Sequence, residues 1–148
     1  MKLLLDTNVL IGYYLRRQPY FGSVSKLLMA RIFNDVQLWS SAKSYTDVFY
    51  VASRYVDPQK LQQAFLKSYE LIDVCSIDSD DIKRSAELNW GNFEDCLISV
   101  AAEKVKADAI VTRDPKGFER ASTAVLSPDQ VLDMLEKERG LSYGDVEF

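Results

Sequence analysis

Four aspartates stand where their carboxylates could share one task. Asp6 ends the apolar run of KLLLDTN, and Asp47 lies in SAKSYTDVFYVAS (41–53). Asp95 lies in NFEDCLISVAAEKV (92–105) and Asp114 in IVTRDPKGF (110–118). Carboxylate oxygens suit hard divalent cations such as Mg²⁺ or Mn²⁺. Such ions can activate water and stabilise both oxygens of an in-line phosphoryl displacement. The chain has no histidine, which removes the usual Ser-His-Asp and Cys-His nucleophiles, histidine acid–base chemistry and most catalytic zinc sites. Each acid also has a local reading. Asp6 or Thr7 suits a helix cap, Asn92 suits a cap with Asp95 in the first turn, and Asp114 precedes Pro115. Asp47 could follow a Ser44 cap or pair with Lys43 four residues earlier. Spacing alone leaves both readings open.

The elements that must position these acids alternate between strand and helix. The spacing predicts strands at Lys2–Leu5, Gln37–Ser40, Leu71–Ile77, Ala109–Thr112 and Thr123–Leu126, and helices at Asn8–Arg17, Phe21–Asn34 and Ala42–Tyr55. DPQK (57–60) opens a helix to about Tyr69, with Asp57 as N-cap and Pro58 at the first helical position. Further helices follow over Asp78–Asn89 and Asn92–Lys106, and SPDQ (127–130) is a capping box opening a last helix to about Arg139. This alternation predicts an α/β fold, a parallel sheet of about five strands flanked by helices. Asp6 and Asp114 would lie at strand carboxyl ends, where open α/β sheets bind ligands, and Asp47 and Asp95 in helices starting from that rim.

Composition sets the frame. A chain of 148 residues, 47% hydrophobic and 27% charged, suits a single domain over 1–139, and the tail over 140–148 is expected to be flexible unless a partner holds it. No apolar run approaches the ~18 residues of a membrane span. The N-terminus lacks a signal-peptide pattern, and Cys75 and Cys96 form neither a disulfide scaffold nor a zinc spacing. The expectation is a cytoplasmic protein with both thiols reduced. A net charge of −4 argues against a non-specific nucleic-acid binder, yet an acidic metal site would itself supply part of that charge.

LLLDTNVLI, the acid in SYTDVFYV, and FEDCLISVAAEKVKADAIVTRD in that order resemble the PIN-domain ribonucleases, above all VapC-type toxins. The resemblance covers residues 2 to about 135 and implies a three-layer α/β/α fold with the first and fourth strands adjacent. It implies metal-dependent cleavage of RNA, with Asp6, Asp95 and Asp114 as carboxylates for Mg²⁺ or Mn²⁺. Asp47 matches an acidic position that is often glutamate, and its shorter reach leaves direct ligation open. Asn8 and Thr112 match polar positions that support the site, and Glu94 is a further supporting group. Asn92 and Gly117 stand where many relatives carry extra aspartates. The resemblance also implies a homodimer and a protein antitoxin.

Arg16, Arg17, Lys43, Arg54 and Arg113 are candidates for phosphate contacts, Arg113 foremost because it adjoins Asp114. As surface cations they also need no function. Tyr13, Tyr14, Tyr20 and Phe21 could stack on bases, although core or interface packing accounts for them as well. A catalytically silent PIN-like binding module is the alternative. A phosphohydrolase of the haloacid dehalogenase type fits less well, because it wants a second acid where Asn8 stands.

Overall fold

The computed structural model describes residues 1–145. β1 (Lys2–Leu5) leads into α1 (Thr7–Tyr14) and α2 (Tyr20–Ile32), and β2 (Gln37–Ser41) into α3 (Ala42–Ala52) and α4 (Pro58–Tyr69). β3 (Ile72–Cys75) leads into α5 (Ser79–Leu88) and α6 (Phe93–Lys104). β4 (Ala109–Val111) is followed by a 3-10 turn (Pro115–Phe118), and β5 (Ala124–Leu126) by α7 (Pro128–Arg139). The sheet order is β3-β2-β1-β4-β5, parallel throughout. The fold is therefore the expected α/β arrangement, with β1 beside β4.

Period-two alternation explains the layers. Leu3 and Leu5 point into a core with Val9, Leu27, Val48, Leu61 and Leu135 from α1, α2, α3, α4 and α7. Leu4 points to the opposite face, against Ile98, Ala101, Ile110 and Phe118. The central strands β1 and β4 are short and buried on both faces, as expected where helices cover a parallel sheet, while the edge strands β3 and β5 are more open.

The two start signals read from caps at Asp57 and Ser127 hold to the residue. Asp57 accepts from the Lys60 amide at 3.0 Å, and Ser127 and Gln130 form both halves of their capping box. Helix ends differ more. The helix expected over Asn8–Arg17 stops at Tyr14, because Arg16 turns left-handed (φ 53°) and the Arg17 amide bonds back to the Gly12 carbonyl at 2.9 Å. The helix expected to reach Tyr55 ends at Ala52. The strand expected over Leu71–Ile77 is the shorter β3.

After α7 the chain lies against α2 and its C-terminal turn. The Leu141 amide bonds to the Leu135 carbonyl, Tyr143 donates to Asp35 at 2.6 Å, and Asp145 pairs with Lys26 at 3.3 Å. The last three residues of the expected tail, 146–148, lie outside the described residues. No described helix is long and apolar enough to cross a membrane.

Candidate active site

The strand order reverses between β1 and β4. The crevice beyond the strand ends at such a reversal is where open α/β sheets bind ligands. In register, Leu5 faces Val111, so the next residues, Asp6 and Thr112, emerge side by side. Asp6 is 5% exposed. One of its oxygens accepts from the Thr7 amide at 2.8 Å and the other from the Thr112 hydroxyl at 2.8 Å. Thr112 in turn accepts from the Asp114 amide at 3.0 Å and from the Asn8 side-chain amide at 3.5 Å. One buried hydroxyl thus ties together Asp6, Asn8 and the backbone of Asp114.

Burial pushes the Asp6 carboxyl up to about 6, against the lowering effect of its two hydrogen bonds, and the charges of Asp95 and Asp114 push it the same way. Asp95 is also raised, by burial first and then by Asp114 and Glu94. Asp6, Asp95 and Asp114 therefore lie within one another's fields. Asp95 is placed by the first turn of α6, where Asn92 accepts from its amide at 3.1 Å. The local cap reading of Asn92 is correct, and it serves the site by fixing where Asp95 starts. Gly117 lies directly against Asp95, and a Cβ there would collide with Asp95 Oδ2. An aspartate at this position could not coexist with Asp95 as placed here.

Asp6, Asn8, Asp47, Glu94 and Asp95 line one cleft of about 210 Å³, closed at the side by Lys43, Ser44 and Ile98. Asp114 faces a neighbouring hollow that Asn8 also lines. Asp47 is engaged by Lys43 at 3.0 and 2.9 Å, and Lys43 also reaches Glu94 at 3.7 Å. This is the i,i+4 pair anticipated for Asp47, now seen to stand inside the acid cleft. The cap of α3 is Ser41, while Ser44 exchanges a hydrogen bond with Thr7 at 2.8 Å.

A profile of the PIN domain matches residues 2–116. The chain belongs to the PIN domain family. Solved structures agree with this PIN fold. VapBC2 from Rickettsia felis, bound to a promoter DNA fragment, matches with a TM-score of 0.63 and 18% identity over 86% of this chain and 98% of the other. VapBC-1 from nontypeable Haemophilus influenzae matches at 0.63 and 18% over 87% and 99%. FitAcB from Neisseria gonorrhoeae matches at 0.56 and 25% over 85% and 97%. No curated protein matches this chain by sequence.

The candidate donors Asp6, Asp95 and Asp114 are all carboxylates, a set that would suit a hard divalent ion, and buried Asp6 under two like charges is a group that a cation would relieve. Among the described residues, no three acidic or thiol side chains stand close enough to form a ready-made cation cage. Exposed Asp114 and half-buried Asp95 would have to turn toward Asp6 to complete one. Ser44, expected only as a possible helix cap, lines the cleft, and Ser23 and Asp129, not singled out from the sequence, line the neighbouring hollow. Pro128 and Asp129 follow β5 on the same carboxyl rim as Asp6, and that position was the available signal.

Proposed function

We propose that this PIN domain is a metal-dependent endoribonuclease that hydrolyses RNA phosphodiester bonds. The observation that carries the reading is Asp6, buried at the β1/β4 reversal, held by Thr112 and facing the charges of Asp95 and Asp114. Asp6, Asp95 and Asp114 would hold the Mg²⁺ or Mn²⁺. When bound, such an ion supplies water activation and neutralises charge on the phosphate.

The chain's own groups do the rest. Thr112 fixes the Asp6 rotamer and leaves the carboxylate aimed from a rigid strand end. Asn8 ties that hydroxyl to the Arg113 backbone, whose amide it meets at 3.4 Å. Glu94 and Asp47 add negative charge to the cleft, which excludes a phosphate until a cation offsets it. Asp47 acts at the site's edge with Lys43 as its counter-ion.

A further solved neighbour, 20% identical with a TM-score of 0.61, is a toxin–antitoxin complex from Klebsiella pneumoniae. We extend this to the present chain as the toxin of a VapBC-type pair, cytoplasmic, homodimeric and masked by a protein antitoxin. Asp6→Asn should abolish RNA cleavage while its circular dichroism spectrum stays that of the parent, and excess EDTA should abolish cleavage by the parent. Full activity in either case overturns the mechanism. A silent PIN-like binding module is the second reading, favoured by the Lys43–Asp47 pair that already neutralises one acid. Calorimetry separates them, since the silent module takes up no Mn²⁺.

A further inference from the structure

Beside the acid cleft lies a second hollow of about 310 Å³, lined by Asn8, Tyr20, Ser23, Arg113, Asp114 and Asp129 together with the rings of Pro19 and Pro128. Asn8 lines both spaces, so the hollow adjoins the cleft there, with Asp114 on the hollow's side. Its volume falls at the small end of the about 300–1,000 Å³ typical of ligand sites, which suits one nucleotide and not a duplex.

The cation in this hollow is unlike the one in the cleft. Lys43 is held by two acids. Arg113 lies with its guanidinium 3.6 Å from the centre of the Tyr20 ring, and among the described residues that guanidinium has no carboxylate partner, although Asp114 is its chain neighbour. The stack rests on α1, where a Cβ at Gly12 would stand 3.4 Å from both an Arg113 guanidinium nitrogen and the Tyr20 Cβ. A flat, pre-placed guanidinium with free donors matches phosphate geometry. Asp129, which accepts from the Ser23 hydroxyl at 2.6 Å, also lines the hollow and repels a phosphate. Charge therefore orients an occupant, phosphate toward Arg113 and base toward Ser23, Asp129 and the proline rings.

We propose that this hollow is the subsite for the nucleotide flanking the scissile phosphate, with Arg113, set on the Tyr20 ring, taking that nucleotide's own phosphate. The proposal rests on the ribonuclease reading for its substrate, and its test reads binding alone. The full chain is titrated into a short fluorescein-labelled single-stranded RNA with Ca²⁺ present, and anisotropy is followed at several salt concentrations. Arg113→Ala should weaken binding roughly five- to tenfold and reduce the salt slope by about 0.7, the value of one single-strand phosphate contact. Tyr20→Ala keeps the charge but frees the guanidinium, and should weaken binding about threefold or more. Tyr20→Phe, which keeps the ring, should bind as the parent does. Thermal unfolding of each variant verifies folding. Binding by Arg113→Ala within about twofold of the parent at an unchanged slope, or no RNA binding by the parent, overturns the subsite. Arg113-dependent binding by a protein that never cleaves RNA leaves the subsite standing and removes the nuclease reading.

Discussion

Asp6 is expensive where it stands. Its carboxyl rises from 3.8 to about 6 on folding, chiefly through burial. The fold therefore prefers the protonated acid, and between about pH 4 and pH 6 the folded state binds more protons than the unfolded chain. The stability this group contributes is fully present below 3.8 and is lost as pH rises through about 6. At about 1.4 kcal/mol per tenfold change in protonation, the loss is roughly 3 kcal/mol at neutral pH. Asp6→Asn removes the charge and keeps an acceptor for the Thr7 amide. In EDTA at about pH 7, this variant should unfold several degrees above the parent, and the gap should close by about pH 4. Equal melting temperatures at neutral pH would mean that the ionised side chain does not bear that burial cost. A residue that weakens the metal-free fold at neutral pH while standing at a ligand-binding reversal is placed there for something other than stability.

At the scale of elements, the site is set by where α6 and the 3-10 turn meet. Gly117 has an ordinary backbone conformation, so its lack of a side chain serves the approach to Asp95 and not a turn. In Gly117→Ala the flexible end of Asp95 can move, so stability should stay within about 1 kcal/mol of the parent or rise slightly through the unfolded state. Mn²⁺ affinity measured by calorimetry should nevertheless fall roughly tenfold, because a methyl group against Asp95 restricts the turn toward Asp6 that a cation requires of it. Unchanged affinity would separate Asp95 from the metal. The same elements show what the sequence made legible. Asp57, Asp78, Asn92 and Ser127 mark helix starts because capping is chemistry between residues three apart. The end of α1 was less legible, since Arg16 is a non-glycine residue in a left-handed conformation. That β1 and β4 are neighbours came from the resemblance, as no local pattern encodes strand order. Asp6, Asp95 and Asp114 were visible as acids on the strand-and-helix map. Ser23 and Asp129 lie in the first turns of α2 and α7, far apart in the chain, and only folding brings them to one hollow with Arg113.

Across the whole molecule the acids outnumber the bases, and four of them stand together. The net charge is −4, and Asp6, Asp47, Glu94 and Asp95 share a cleft with Lys43 as the cation in its wall. A divalent ion that binds the folded cleft and not the unfolded chain must raise the melting temperature by mass action. At a hundredfold excess over its dissociation constant the gain is about 2.7 kcal/mol, or roughly 5–10 °C for a chain of this size. Differential scanning fluorimetry against Mn²⁺ should show a saturating rise in the parent and none in Asp6→Asn. Lys43→Met gives the opposite sign, because it removes the cation that competes for Asp47 and Glu94. Its midpoint should move to roughly threefold lower Mn²⁺ or less, by the Coulomb energy of one partly screened charge. A midpoint that moves to higher Mn²⁺ in Lys43→Met would show that the lysine organises the cleft for the metal instead of competing with it, and Asp47 would then belong to the ion's binding site only through Lys43.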